Sequence, residues 1–147
     1  MPLRPGLSAT ASMTVSDDDT ALALGSGDVP VLATPRVVCL AEEASVQAVA
    51  GELGELETTV GYRVQLDHLA PTAVGGRVDA EATLENVESR RLTFRVSVSD
   101  GRGLVAAGRI TRVVVERDRF LEKAAGAEPA VGTARSAGEP RVRTDDG

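Results

Sequence analysis

Any chemistry that needs an imidazole must pass through one position, because His68 is the only histidine in 147 residues. Carboxylates are plentiful, but two stand in an unusual setting. Glu42 and Glu43 interrupt the run "VLATPRVVCLAEEASVQAVA", residues 31 to 50, which otherwise reads as a largely apolar helix. Rotating that helix by 100° per residue from Thr34 gathers Val37, Val38, Ala41, Ser45, Ala48 and Val49 into one apolar or small sector. Glu42 falls between Val49 and Val46, with Cys39 just beyond, whereas Glu43 points the same way as Arg36 and Gln47. Glu43 therefore reads as solvated, and Glu42 as a flank or buried carboxylate. A dry surround disfavours the charged form of a carboxyl, which suits a base that works near neutrality. In "TTVGYRVQLDHLA", residues 58 to 70, Val60, Tyr62, Val64, Leu66 and His68 share one strand phase. The imidazole is thus expected to face the helix unless a bulge intervenes. Thr34, just before Pro35, is expected to cap the helix with its side chain. Threonine, carboxylate and imidazole then converge on one seam between sheet and helix.

Rival centres are weaker. Cys39 is a candidate nucleophile three residues before Glu42, but an isolated helical cysteine reads better as a small core residue. Ser45 reads as a packing contact, and the chain has no Gly-x-Ser-x-Gly elbow of an α/β-hydrolase. Asp17 to Asp19 could be taken for a metal site. No second ligand cluster lies near them, and acidic residues in a first helical turn are favoured by the dipole alone. One cysteine and one histidine make neither an internal disulfide nor a zinc cluster, so no metal site is expected.

The elements that must position these residues follow from alternation and turn chemistry. "SATASMTVS", 8 to 16, alternates as a half-buried strand, and Ser16 with Asp19 resembles a capping box that opens a short helix over "DDDTALALG". "GSGDVPVLA" reads as a loop, and the long helix is expected over 34 to about 50, ending near Gly51 and Gly54. Strands are expected over 58 to 70, 77 to 88, 90 to 100 and 104 to 116, separated by turns at Gly75-Gly76, Glu88-Ser89 and Asp100-Gly101. "RDRFLEKAA" adds a helical turn or two. This is one α+β domain over residues 1 to 125, with a long helix against the concave face of one antiparallel sheet. From 126 to 147 the Gly, Pro, Ala and mixed-charge tail has no apolar period, and disorder is expected.

Composition narrows the function. With 42% hydrophobic but 2% aromatic residues, stacking platforms for bases are scarce, and a net charge of −6 gives no field for phosphate backbones. Nucleic acid is therefore not an expected partner. No apolar stretch is long enough to span a bilayer, and "MPLRPGLSATASM" lacks a signal peptide's apolar middle. The reading is a soluble, cytosolic protein without a membrane partner.

Three stretches carry a resemblance. "LATPRVVCLAEEA", "TTVGYRVQLDHLAPTAVGGRV" and "RRLTFRVSVSDGRGLVAAGRITRVVV" resemble the hotdog-fold thioesterases of the fluoroacetyl-CoA thioesterase type, over roughly residues 8 to 123. The resemblance implies a sheet of about five strands wrapped around one central helix. It also implies hydrolysis of an acyl-CoA thioester with no cofactor besides the CoA of the substrate. Threonine, glutamate and histidine form the family's catalytic group, which assigns Thr34, Glu42 and His68. The family glycine at Gly61 and the late-strand arginine at Arg112 would support the thioester or CoA. By the same likeness, sheets join edge to edge in a homodimer whose sites lie at the interface. Glu42 would attack the carbonyl or activate water, His68 would transfer a proton, and Thr34 would bond Glu42 or the substrate. Amides at the helix N-terminus would bind the oxyanion.

The chain departs from the fluoroacetyl-specific pattern in two places. "GSGDVPVLA" places Asp28 where that enzyme has an aromatic gate, and Ile110-Thr111 stand where it has His-Glu. Little selectivity for the fluorinated acyl group is expected. Two other classes compete: a non-catalytic acyl-CoA-binding hotdog protein, and a hotdog enoyl-CoA hydratase or dehydratase. The hydratase reading is weakened by the absence of an Asp-x4-His helix.

Overall fold

The structure, a computed structural model, describes residues 2 to 126. The tail expectation lies outside the described residues from 127 onward. Strand β1 (Ser8–Thr14) is followed by a 3-10 turn at Asp17–Asp19 and a one-turn helix α1 (Ala21–Leu24). Helix α2 (Thr34–Val49) comes next, then strands β2 (Glu57–His68), β3 (Arg77–Glu88), β4 (Arg91–Asp100) and β5 (Gly103–Glu116), and helix α3 (Arg117–Gly126). All pairings are antiparallel in the order β1-β3-β4-β5-β2, so β1 and β2 form the two edges. A five-stranded sheet packed on one long helix is the expected hotdog arrangement.

Period-two burial builds the inner face. Val78, Ala80, Ala82 and Leu84 of β3 and Leu92, Phe94, Val96 and Val98 of β4 are buried, while the residues between them are more exposed. Helix α2 lies mainly over β1 and β3 and buries Val37, Leu40, Ala41, Ala44, Ser45, Ala48 and Val49. That arc is wider than expected, because Leu40 and Ala44 join it. Leu40 is fully buried, and truncating such a leucine to alanine costs about 2–5 kcal/mol. The Ser45 hydroxyl bonds back to the Glu42 carbonyl at 2.6 Å, which satisfies it inside the core as a packing residue. Cys39, in contrast, is exposed rather than part of the core.

The chain between β1 and α2 is tied down by Asp19. Its carboxylate accepts from the Ser16 N–H at 2.8 Å and the Ser16 hydroxyl at 2.9 Å, and binds Arg36 Nε at 3.1 Å. Its backbone carbonyl accepts from the Ala33 N–H. The expected capping box is present, but Thr20 splits the segment, ending the 3-10 turn and capping α1 through its hydroxyl.

Strand β2 corrects the expected phase. Its pairing with β5 shifts register between Gly61 and Arg63, so Tyr62 is an extra residue in a bulge. Residues directly opposite in an antiparallel pair share a face. Thr59 and Gly61, opposite Val114 and Arg112, therefore face the helix, as do Val64, Leu66 and His68, opposite Ile110, Gly108 and Ala106. Val60 and Tyr62 do not share the face of His68, whereas His68 is inward as expected. At Gly108 any Cβ would run into the Gln65 carbonyl, so β2 comes this close because β5 carries glycine there.

Candidate active site

Helix α2 begins without a side-chain cap. Ala33 is the N-cap and Thr34 the first helical residue, so the threonine hydroxyl is not used on the backbone amides. It is instead 2.7 Å from Nδ1 of His68, at the end of β2. This contact replaces the expected cap; the hydroxyl was expected to bond Glu42 or the substrate, and within the chain it meets the imidazole instead of Glu42. The opposite ring nitrogen, Nε2, is buried and has no hydrogen-bond partner among the described residues. An imidazole held at one nitrogen and unpaired at the other is arranged to exchange a proton with an incoming group. Thr34 and His68 line a cavity of about 340 Å³ whose walls include Val29, Val31 and Leu69.

The oxyanion donors expected at this helix end are fewer than supposed. Pro35 has no N–H, and the amides of Arg36 and Val37 both donate to the Ala33 carbonyl, at 3.0 and 3.1 Å. Among the described residues, Thr34 N–H is the first-turn amide left without an acceptor.

Glu42 lies eight residues further along α2, about 12 Å along the helix axis. Helical phase places it at the border of the buried arc, between Val49, fully buried, and Val46, 42% exposed. Its side chain is 34% exposed, and Oε2 accepts from Arg112 Nη1 at 3.0 Å. The surround expected from the valines alone is thus corrected by a guanidinium. Gly61 makes the approach possible, since a Cβ there would overlap Glu42 Oε2. Arg112 is nearly buried and donates from Nε to the Thr59 hydroxyl at 2.9 Å and from Nη2 to the Thr59 carbonyl at 3.0 Å. Burial pushes its pKa below the ordinary arginine value, and the Glu42 carboxylate opposes that shift.

Residues 15–118 match the family described as fluoroacetyl-CoA-specific thioesterase. The chain belongs to the fluoroacetyl-CoA-specific thioesterase family. The fluoroacetyl-CoA thioesterase of Streptantibioticus cattleyicolor is 37% identical over 100 residues, covering 68% of this chain and 72% of that protein. A solved structure of the fluoroacetyl-CoA thioesterase FlK aligns with a TM-score of 0.81 at 31% identity, covering 88% of this chain and all of the other. A thioesterase superfamily member from Thermus thermophilus aligns with a TM-score of 0.76 at 30% identity, covering 86% of this chain and 98% of its own.

Within this fluoroacetyl-CoA-specific thioesterase family member, the five expected site residues form two groups in one chain. Thr34 meets His68, and Glu42 meets Gly61 and Arg112. Thr59, which holds Arg112, was not anticipated from the sequence. Its signal was Gly61 inside a strand pattern, a frequent mark of a bulge, which reverses the inward phase at Thr59. Cys39 is exposed on α2 and makes no hydrogen bond to an imidazole or carboxylate among the described residues, so nothing there activates a thiol.

Proposed function

We propose that the protein is an acyl-CoA thioesterase, a soluble cytoplasmic homodimer acting on a small acyl group, with Thr34, Glu42 and His68 as its reacting residues. The observation that carries this reading is His68, fixed at Nδ1 by Thr34 and left unpartnered at Nε2 beside an apolar-walled cavity. Hydrolysis adds water across the acyl C–S bond. Glu42 either attacks the carbonyl carbon, forming a mixed anhydride that water then cleaves to release the acid and restore the carboxylate, or draws a proton from the water that attacks. In both routes the C–S bond breaks, the CoA sulfur leaves as a thiol with a proton from His68, and a proton from that water restores the imidazole. The products are a carboxylic acid and free CoA.

The two groups stand about 12 Å apart along the α2 axis, and a second copy would bring them together. Strand β2 is an edge of twelve residues, with Tyr62 53% and Val64 40% exposed, a form of edge that invites pairing. If two β2 strands pair antiparallel about a two-fold centred between Val64 and Gln65, His68 stands opposite the partner's Gly61, against which the partner's Glu42 rests. Each site would then take Thr34 and His68 from one chain and the carboxylate from the other.

Thiol release over a panel of acyl-CoA substrates, beside enoyl-CoA hydration, tests the reaction. Turnover of at least one short acyl-CoA is expected. Hydration without thiol release, or tight binding without turnover, would contradict it in favour of a hydratase or a binding protein.

A further inference from the structure

Arg112 spends three of its five N–H donors on the chain itself. It is 7% exposed, and each of its three nitrogens already has an acceptor in the chain. Two of those bonds go to a single residue, because the hydroxyl and the carbonyl of Thr59 take Nε and Nη2 together. A guanidinium is a planar fork, so fixing two of its nitrogens fixes the direction of the third. That third nitrogen, Nη1, meets Glu42 Oε2. Thr59 is itself buried, and it faces inward through the phase change at the Tyr62 bulge.

We infer that Thr59 is a positioning residue: by gripping Nε and Nη2 of Arg112 it aims Nη1 at Glu42 and so fixes the carboxylate in place. The inference rests on the reading of Glu42 as the reacting carboxylate. Without the Thr59 hydroxyl, the guanidinium keeps its carbonyl bond but can pivot about it, and the carboxylate loses its fixed partner. A one-ångström misplacement of a reacting group lowers turnover without weakening the binding of a substrate held elsewhere.

The test compares Thr59→Val and Thr59→Ser, each alone and combined with Glu42→Gln. Thr59→Val should lower kcat about tenfold with KM within about twofold, and Thr59→Ser should restore kcat to within about twofold. In the Glu42→Gln background, Thr59→Val should have no further effect, because the group it positions is gone. A separate readout needs no substrate. The Arg112 Nε–H resonance should be protected from exchange in the unaltered protein, lost in Thr59→Val and regained in Thr59→Ser. An unchanged resonance in Thr59→Val, equal losses of rate in both backgrounds, or a raised KM at constant kcat would overturn the assignment. If no acyl-CoA is turned over while the resonance behaves as stated, the clamp stands and the thioesterase reading fails. Should Thr59→Val not fold, Arg112→Lys keeps the charge but cannot form the fork. A kcat loss at constant KM then supports the clamp, and a KM rise alone overturns it.

Discussion

Glu42 and Glu43 are chemically identical neighbours that helical rotation sends to different surroundings, one against Gly61 and Arg112 and the other into solvent. Glu42→Gln keeps the shape and removes the base, so thioester hydrolysis should fall at least about a hundredfold, whereas Glu43→Gln should change activity little and stability by less than about 0.5 kcal/mol. Steady-state turnover and thermal melts of the two variants check this, and equal losses would contradict it. A second expectation concerns the acyl group. The cavity beside His68 has mostly aliphatic walls, and Asp28, which stands where the fluoroacetyl-specific pattern has an aromatic, is exposed and outside its lining, so fluoroacetyl-CoA and acetyl-CoA should be used with similar efficiency. A ratio of kcat/KM above about a thousand, roughly 4 kcal/mol of discrimination, would reveal another gate. Residue types and their resemblance to the family brought out Thr34, Glu42 and His68, but not their partners. Thr34 was expected to cap the helix, yet Ala33 is the N-cap and the threonine hydroxyl is turned to the imidazole. For Cys39 the usual burial of cysteine outweighed a helical phase that already placed it outside the apolar sector.

Strand boundaries were legible because alternation and turn residues mark them independently, and β2 to β5 begin and end within two residues of the expected positions. The bulge was not legible, since one extra residue reverses the side-chain phase while leaving composition unchanged. That reversal lets Thr59 and Gly61 face α2 on one side of Tyr62 and His68 face it on the other. Gly61→Ala should therefore displace Glu42 and lower kcat by tenfold or more while the protein still folds, as judged by turnover beside a thermal melt. A wild-type rate would show that the carboxylate does not need this approach. The segment before α2 yields a pH expectation. The Ser16 N–H, chiefly, with the Ser16 hydroxyl and Arg36, holds the Asp19 pKa below the ordinary 3.8. A carboxylate whose pKa is depressed on folding contributes stability above its unfolded value and loses it as pH falls through the folded one. Asp19→Asn should thus melt lower than the unaltered protein at pH 7, and the gap should close as pH drops below about 3.8. A gap independent of pH would show that shape rather than charge is responsible.

For the whole molecule, the sequence carried the helix-on-sheet architecture, because a Val-, Leu- and Ala-rich chain of this pattern buries its two inner faces by packing helix on sheet. Residue spacing and helical rise already put Thr34 and Glu42 about 12 Å apart along the axis, but the sequence could not carry that the two side chains turn to different partners, His68 and Arg112. In the proposed homodimer, that separation would make the second chain part of the chemistry rather than an accessory to it. Glu42→Gln and His68→Ala, each purified alone, should be inactive. When the two are unfolded together and refolded, about half of the dimers are mixed, and each mixed dimer has one site with both native groups, so activity should return to about a quarter of the unaltered value. Thiol release from a mixed preparation is the most direct measurement of a thioester site shared by two chains. Recovery to about a quarter is the result expected, and no recovery above either parent, with mixed dimers confirmed by mass, would contradict it.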